Sequence, residues 1–175
     1  SGAMENLGCI TYREALLLVN KEEATQSELT RIADVVMHEI AHMWFGDLVT
    51  MKWWNGIWLN EAFATFMATK AVDKFNPEWE RWVEFGIEKS AAFDVDSLKS
   101  TRPIEFDVIS PDDATAMFDL LTYEKGGAVL RMLEQYVGEE QFRDGIRNYL
   151  NKHEFSNTET EDLWDSIEEF SSIPV

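Results

Sequence analysis

The sequence predicts an α+β fold that is predominantly α-helical, with a short β remnant at its N-terminus. Three observations carry this expectation. Leu29, Ile32, Val36, Ile40 and Met43 step at helical spacing, and comparable helix patterns recur along the chain. Thr25-Gln26-Ser27-Glu28 and Thr158-Glu159-Thr160-Glu161 both fit the capping-box signature of a helix start. Short β-prone runs, Cys9-Ile10-Thr11-Tyr12 and Ala15-Leu16-Leu17-Leu18-Val19, lie within residues 2–20, split by Arg13-Glu14.

Taken in order, residues 1–20 are expected to form the C-terminal strands of a β subdomain, and residues 21–175 a helical part. The first helix starts at the Thr25 capping box and ends at Gly46, which suits a C-cap. A tryptophan-rich connection occupies 47–57, and a second helix spans 58–75. Asn76-Pro77 stops it and starts the next, with proline at the first helical position. Residues 94–113 are rich in Asp, Ser and Pro and read as an irregular segment, of a length that often forms a cleft wall. Further helices are expected over 113–121, 122–137 (closed by Gly138), 139–152 and 159–170.

At 175 residues the chain suits one domain with a sizeable core. Seven tryptophans and eleven phenylalanines suggest heavy aromatic lining of that core or of a groove. A net charge of −18 argues against nucleic acid as a partner, because binding phosphates requires clustered cations. The acidity is read first as serving solubility, with attraction of substrates that carry a positively charged amino terminus as the alternative reading. Cys9 stands alone, so no intrachain disulfide forms; it is expected to be a small buried apolar residue, in keeping with a reducing, cytoplasmic location. No stretch approaches the roughly 20 apolar residues of a membrane span.

The chemistry concentrates at His38-Glu39-Ile40-Ala41-His42. On a helix, positions i and i+4 share a face, so His38 and His42 can present ring nitrogens to one ion. Glu39 is rotated away from that pair but within reach of a water on the same ion. Glu61, in Trp58-Leu59-Asn60-Glu61-Ala62, can supply a third, anionic ligand. Two histidines and a carboxylate are a known set for catalytic zinc, with one position open to water. The pattern reads as a metallopeptidase site binding one Zn2+ per chain. Two of the chain's three histidines sit in it.

At these residues the chain resembles the M1 family of zinc aminopeptidases, the gluzincin branch that includes aminopeptidase N. The resemblance also covers Gly2-Ala3-Met4-Glu5-Asn6, Trp44-Phe45-Gly46-Asp47-Leu48-Val49-Thr50-Met51, Trp53-Trp54-Asn55, Phe63-Ala64, Phe118-Asp119 and Tyr123-Glu124-Lys125-Gly126. Essentially the whole chain aligns with the core of that family. The resemblance implies a thermolysin-like zincin catalytic domain that hydrolyses N-terminal residues from peptides through a zinc-bound water. It makes His38, His42 and Glu61 the ligands, Glu39 the general base, and Tyr123 the donor to the oxyanion of the tetrahedral intermediate. It also makes Glu5 the anchor for the free α-ammonium of the substrate, with Gly2, Ala3, Met4 and Asn6 pairing with the peptide backbone. Asp119, Asn60, Asn55 and Lys125 receive supporting roles.

Gly56 stands where many members are acidic, and Ala62 where many carry glycine. Family members also have domains before and after this core, which the chain is expected to lack. Two alternatives follow from the resemblance: a zinc-binding fragment without turnover, and an epoxide hydrolase of the leukotriene type, against which Ala3 in place of glycine speaks.

Overall fold

Thr25 opens helix α1, Gln26–Ala41, as the sequence predicts. Its hydroxyl accepts from the Glu28 amide at 3.3 Å, and the Glu28 carboxylate accepts from the Thr25 amide at 2.9 Å. The computed structural model to which α1 belongs describes residues 2–20 and 22–175. Ser1 and Lys21, the first residues of the two segments expected from the sequence, lie outside the described residues.

Before α1, strands β1 (Ala3–Met4) and β2 (Thr11–Tyr12) pair antiparallel, Ala3 with Tyr12 and Met4 with Thr11. The apolar run 15–19 is not a strand. Its start forms a 3-10 turn, Glu14–Leu16, whose Leu16 is buried against Gly2. Cys9 is exposed, contrary to the expectation of burial.

Helix α1 ends four residues earlier than a stop at Gly46 implies. His42 to Gly46 form turns, and Gly46 takes φ 139°, a region favouring glycine. Within the tryptophan-rich connection lies strand β3, Val49–Met51, which pairs in parallel with β4, Ser156–Thr158. Helix α2, Trp58–Phe75, matches its predicted span. Its first turns are enclosed on every side: Trp58, Ala62 and Phe63 are fully buried, and Leu59 and Phe66 nearly so. These side chains form the centre of the core, with Leu130, Tyr149, Leu163 and Ile167 from later helices.

Asn76 caps a 3-10 turn, Pro77–Trp79, and Glu80 in the left-handed region leads into α3, Arg81–Asp96. A segment without helix or strand covers 97–110. Ser110 then caps a short helix, α4, Pro111–Ala116, through a box with Asp113. The expected helix over 113–121 is therefore shifted and shortened. Residues Leu121–Lys125 form a π-helical turn that runs directly into α5, Gly126–Val137. Gly138, at φ 93°, separates α5 from α6, Glu139–Lys152. Helix α7, Thr160–Glu168, is capped by Glu159 and Asp162, one residue later than the predicted box. Thr158 instead sits in β4, hydroxyl to hydroxyl with Tyr149 at 2.7 Å.

The described residues are thus predominantly helical, with two two-stranded sheets among them. Helices α1 and α2 pack against each other, and α5 approaches α2 closely where Gly126 faces Ala62. That layer brings the end of α1, the start of α2 and the π-helical turn to one place.

Candidate active site

The last turn of α1 presents His38 and His42 on one face, and the first turn of α2 presents Glu61 opposite them. His38 Nε2 lies 3.2 Å from Glu61 Oε2, His42 Nε2 lies 3.3 Å from the same oxygen, and the two ring nitrogens are 3.0 Å apart. All three donor atoms fall within 4.8 Å of one another. Among the described residues this is the one cluster of histidine, cysteine and carboxylate groups that could hold a metal ion.

The turn after α1 orients one of these rings. His42 is 1% exposed, and its Nδ1 lies 2.9 Å from the Phe45 carbonyl oxygen. A carbonyl only accepts, so Nδ1 carries a hydrogen, and Nε2 is the nitrogen that faces the cluster and offers a lone pair once its own proton leaves. A Cβ at Gly46 would stand 3.3 Å from His42 Nδ1, which is tight. Glycine therefore meets a conformational and a spatial need at once.

Charge in the cluster is strongly coupled. Burial works against a charge on His42, but its hydrogen bond to Glu61 and the Glu61 carboxylate outweigh this and raise the ring to about 9. Burial likewise opposes ionisation of Glu61, and the two histidines overcome it, bringing the carboxyl to about 2. The arrangement thus holds a positive charge, and a divalent metal replacing that proton meets the same carboxylate.

Glu39 projects beside this cluster. It is 6% exposed, and its Oε2 has no hydrogen-bond partner among the described residues. Burial first, and then the charges of Glu5 and Glu61, raise its carboxyl to about 7 against the pull of His42. An orphaned buried carboxylate oxygen next to three converging donors fits a metal with a water on it.

Tyr123 comes from the π-helical turn. Its ring stacks on His38 with centroids 5.9 Å apart and planes 18° from parallel. Burial and the nearby Glu61 carboxylate push its phenol well above the usual range, so the hydroxyl stays protonated as a donor. Gly2, Ala3, Met4 and Glu5 line the same groove from β1, while Asn6 is exposed in the turn beyond and does not line it. The groove encloses about 880 Å³ and is walled on the aromatic side by Trp54 and Phe118, 6.4 Å apart.

The inner end of the groove holds residues that sequence reasoning did not single out. Arg81, 5% exposed, donates to both oxygens of Asp34 at 2.9 and 2.7 Å and to Glu88 at 2.9 Å. Glu124 faces this group, and burial, reinforced by Glu88, raises its carboxyl to about 7 while Arg81 opposes the rise. One signal was available: Arg81 and Glu88 lie seven residues apart on one helix face.

A family profile described as "Peptidase family M1 domain" matches residues 1–175. The chain is 50% identical over 176 residues to Tricorn protease-interacting factor F2 of Thermoplasma acidophilum, covering 100% of this chain and 22% of that protein. It is 47% identical to Aminopeptidase M1-A of Oryza sativa subsp. japonica, covering 100% of this chain and 20% of that relative. With Leucyl aminopeptidase of Saccharolobus solfataricus it shares 50% identity over 169 residues, 96% of this chain and 21% of that one. The chain therefore spans about a fifth of the length of the curated relatives it matches. Among the described residues, no helix is long and apolar enough to cross a membrane. From its motifs, its groove and its match along the whole length, the chain belongs to peptidase family M1.

Proposed function

We propose that this chain is the core of a thermolysin-like, zinc-dependent aminopeptidase that removes N-terminal residues from peptides with a free amino terminus. The observation that carries this reading is the buried, unpartnered Glu39 oxygen beside the convergent nitrogens and oxygen of His38, His42 and Glu61. Those three residues would hold one zinc ion per chain. When bound, zinc polarises the scissile carbonyl as a Lewis acid and makes the attacking water more acidic.

The chain's own groups do the rest. Glu39 accepts the proton of the attacking water and passes it to the departing amine. Tyr123, stacked on His38 and kept protonated, donates to the oxygen on which negative charge develops. Glu5, at the end of β1, accepts from the substrate α-ammonium and so confines cleavage to the first residue. The open edge of β1 pairs with the peptide backbone as an added strand. Gly2 to Glu5 contribute the amine end of the groove and the helical remainder contributes the chemistry.

Metal content and hydrolysis of leucyl and alanyl amides by this chain, with Glu39→Gln beside it, test the proposal. One zinc per chain with turnover lost in Glu39→Gln is the expected result. Absence of zinc after purification with the metal overturns it. Zinc without turnover assigns substrate capture to parts of the longer relatives that this chain does not span.

A further inference from the structure

Tyr123 sits in the middle of a π-helical turn, a form that is rare and persists where its surroundings hold it. The residue that holds it comes from the irregular segment 97–110. Arg102 Nη2 donates to Asp119 Oδ1 at 2.7 Å, to Thr122 Oγ1 at 3.0 Å and to the Met117 carbonyl at 3.4 Å. The same Asp119 oxygen accepts from the Leu121 and Thr122 amides at 3.0 and 3.1 Å. The Tyr123 amide donates to the Asp119 carbonyl at 3.1 Å. One guanidinium, 14% exposed, thus anchors both the residue that caps the turn and the residue preceding Tyr123.

The segment that carries Arg102 is itself fixed at both ends. Lys125, at the far end of the turn, donates to Asp96 at 2.7 Å and to the Arg102 carbonyl at 3.3 Å. Farther along, Trp53 donates to the Val108 carbonyl at 2.9 Å, and Asn55 to Glu105 at 2.8 Å. Glu105 also accepts from Thr160 at 2.6 Å. A strap tied to the core on both sides presents a charge-assisted donor to the turn, and such bonds are about twice as strong as neutral ones. A small rotation of the turn is magnified at the phenol oxygen, which lies at the far end of the Tyr123 side chain.

We propose that Arg102 is a positioning residue: through Asp119 and Thr122 it fixes the π-helical turn that aims Tyr123 at the reacting centre. This rests on the reading of Tyr123 as the oxyanion donor. The segment expected to be a cleft wall therefore acts on the chemistry without touching substrate.

The test reads position and rate separately. The chain has four tyrosines, so incorporation of meta-fluorotyrosine gives four fluorine signals, and Tyr123→Phe identifies the one of interest. In Arg102→Met the Tyr123 signal is expected to shift or broaden, while those of Tyr12, Tyr136 and Tyr149 stay in place. Arg102→Lys is expected to restore part of the shift, and Asp119→Asn gives the same test if Arg102→Met does not fold. In zinc-loaded protein, Arg102→Met is expected to lower kcat roughly ten- to a hundredfold with little change in KM, and to add nothing in the Tyr123→Phe background. An unmoved Tyr123 signal in a folded Arg102 variant, or losses that multiply in the double variant, overturns the proposal. If Tyr123→Phe alone leaves kcat intact, the reading of Tyr123 fails, and the fluorine result still decides whether Arg102 places the ring.

Discussion

Gly126 and Gly127 stand side by side at the start of α5, and the structure sets opposite outcomes for adding one methyl group at each. At Gly126 the new Cβ would lie 2.6 Å from the Cβ of Ala62, which is fully buried in α2. Carbon atoms pack best at about 3.5–4.0 Å, so the two helices must part by about 1 Å. Overpacking of this kind costs about 1–3 kcal/mol. The upper part of that range applies, because the obstacle is a helix-borne Cβ and not the end of a flexible side chain. Replacing glycine by alanine in a helix returns about 1 kcal/mol, leaving Gly126→Ala a net loss of about 2 kcal/mol. For a domain of this size that lowers Tm by roughly 4–8 °C. At Gly127 the nearest atoms, from Phe85 and Thr65, are 3.6 Å away, an ordinary contact. Gly127→Ala therefore keeps the helix gain and raises Tm by roughly 2–4 °C. Because Ala62 follows Glu61, Gly126→Ala is also expected to weaken binding of the proposed zinc ion, whereas Gly127→Ala is not. Gly145→Ala, whose Cβ would meet Ile167 Cα at 2.8 Å far from the site, separates the effects by losing stability with unchanged metal affinity. Thermal unfolding and zinc competition against a chelator measure all three. Shifts of the same sign at 126 and 127, or full zinc affinity in Gly126→Ala, would refute the reasoning.

Three further outcomes are expected. Glu124 has a folded-state value of about 7, above its ordinary 4.5, so the folded chain holds the extra proton between those values and stability falls as pH rises through that window. Glu124→Gln removes this titration, and its stability relative to the parent chain, measured by urea unfolding, is expected to improve by roughly 2 kcal/mol from about pH 5 to about pH 8; a constant difference contradicts the assignment. Thr25→Ala breaks the capping box of the helix that carries both histidines and is expected to cost about 1 kcal/mol in the same assay, with no loss pointing to a frayed first turn. Val83 and Ile87 of α3 are 62% and 70% exposed, so the chain is expected to self-associate as concentration rises, and Ile87→Glu to suppress it. Light scattering that shows a monomer throughout denies that.

The parts of the site that depend on local spacing were legible in the sequence. His38 and His42 share a face because helical periodicity requires it, and α2 was bounded by Asn76-Pro77 at its end. Glu61 could be placed on the next helix, but its approach to both rings depends on how α1 and α2 pack. What stayed hidden was tertiary. The pairing of 49–51 with 156–158 joins distant residues with no alternating pattern. The π-helical turn leaves no periodic trace in five residues, and it begins where an α-helix was expected to start. Arg81 lies in no motif; its meaning comes from Asp34, 47 residues away and on another helix. The run 15–19 shows the reverse error, since its apolar side chains suited a strand but its start is wound into the 3-10 turn Glu14–Leu16.

The pairing of β3 with β4 has a consequence for how the molecule comes into being. The two histidines and Glu61 leave the ribosome well before β4, yet the turn behind His42 is braced by residues of β4 and the turn before it. Leu48 receives the Phe155 amide at 2.7 Å, and Thr158 receives that of Lys52 at 2.8 Å. Contacts of such separation close late, after local helices have formed. A nascent chain halted before Ser156 therefore carries all three candidate ligands without the brace that steadies them. A steady hold on a metal by these three residues therefore waits until β4 has been made.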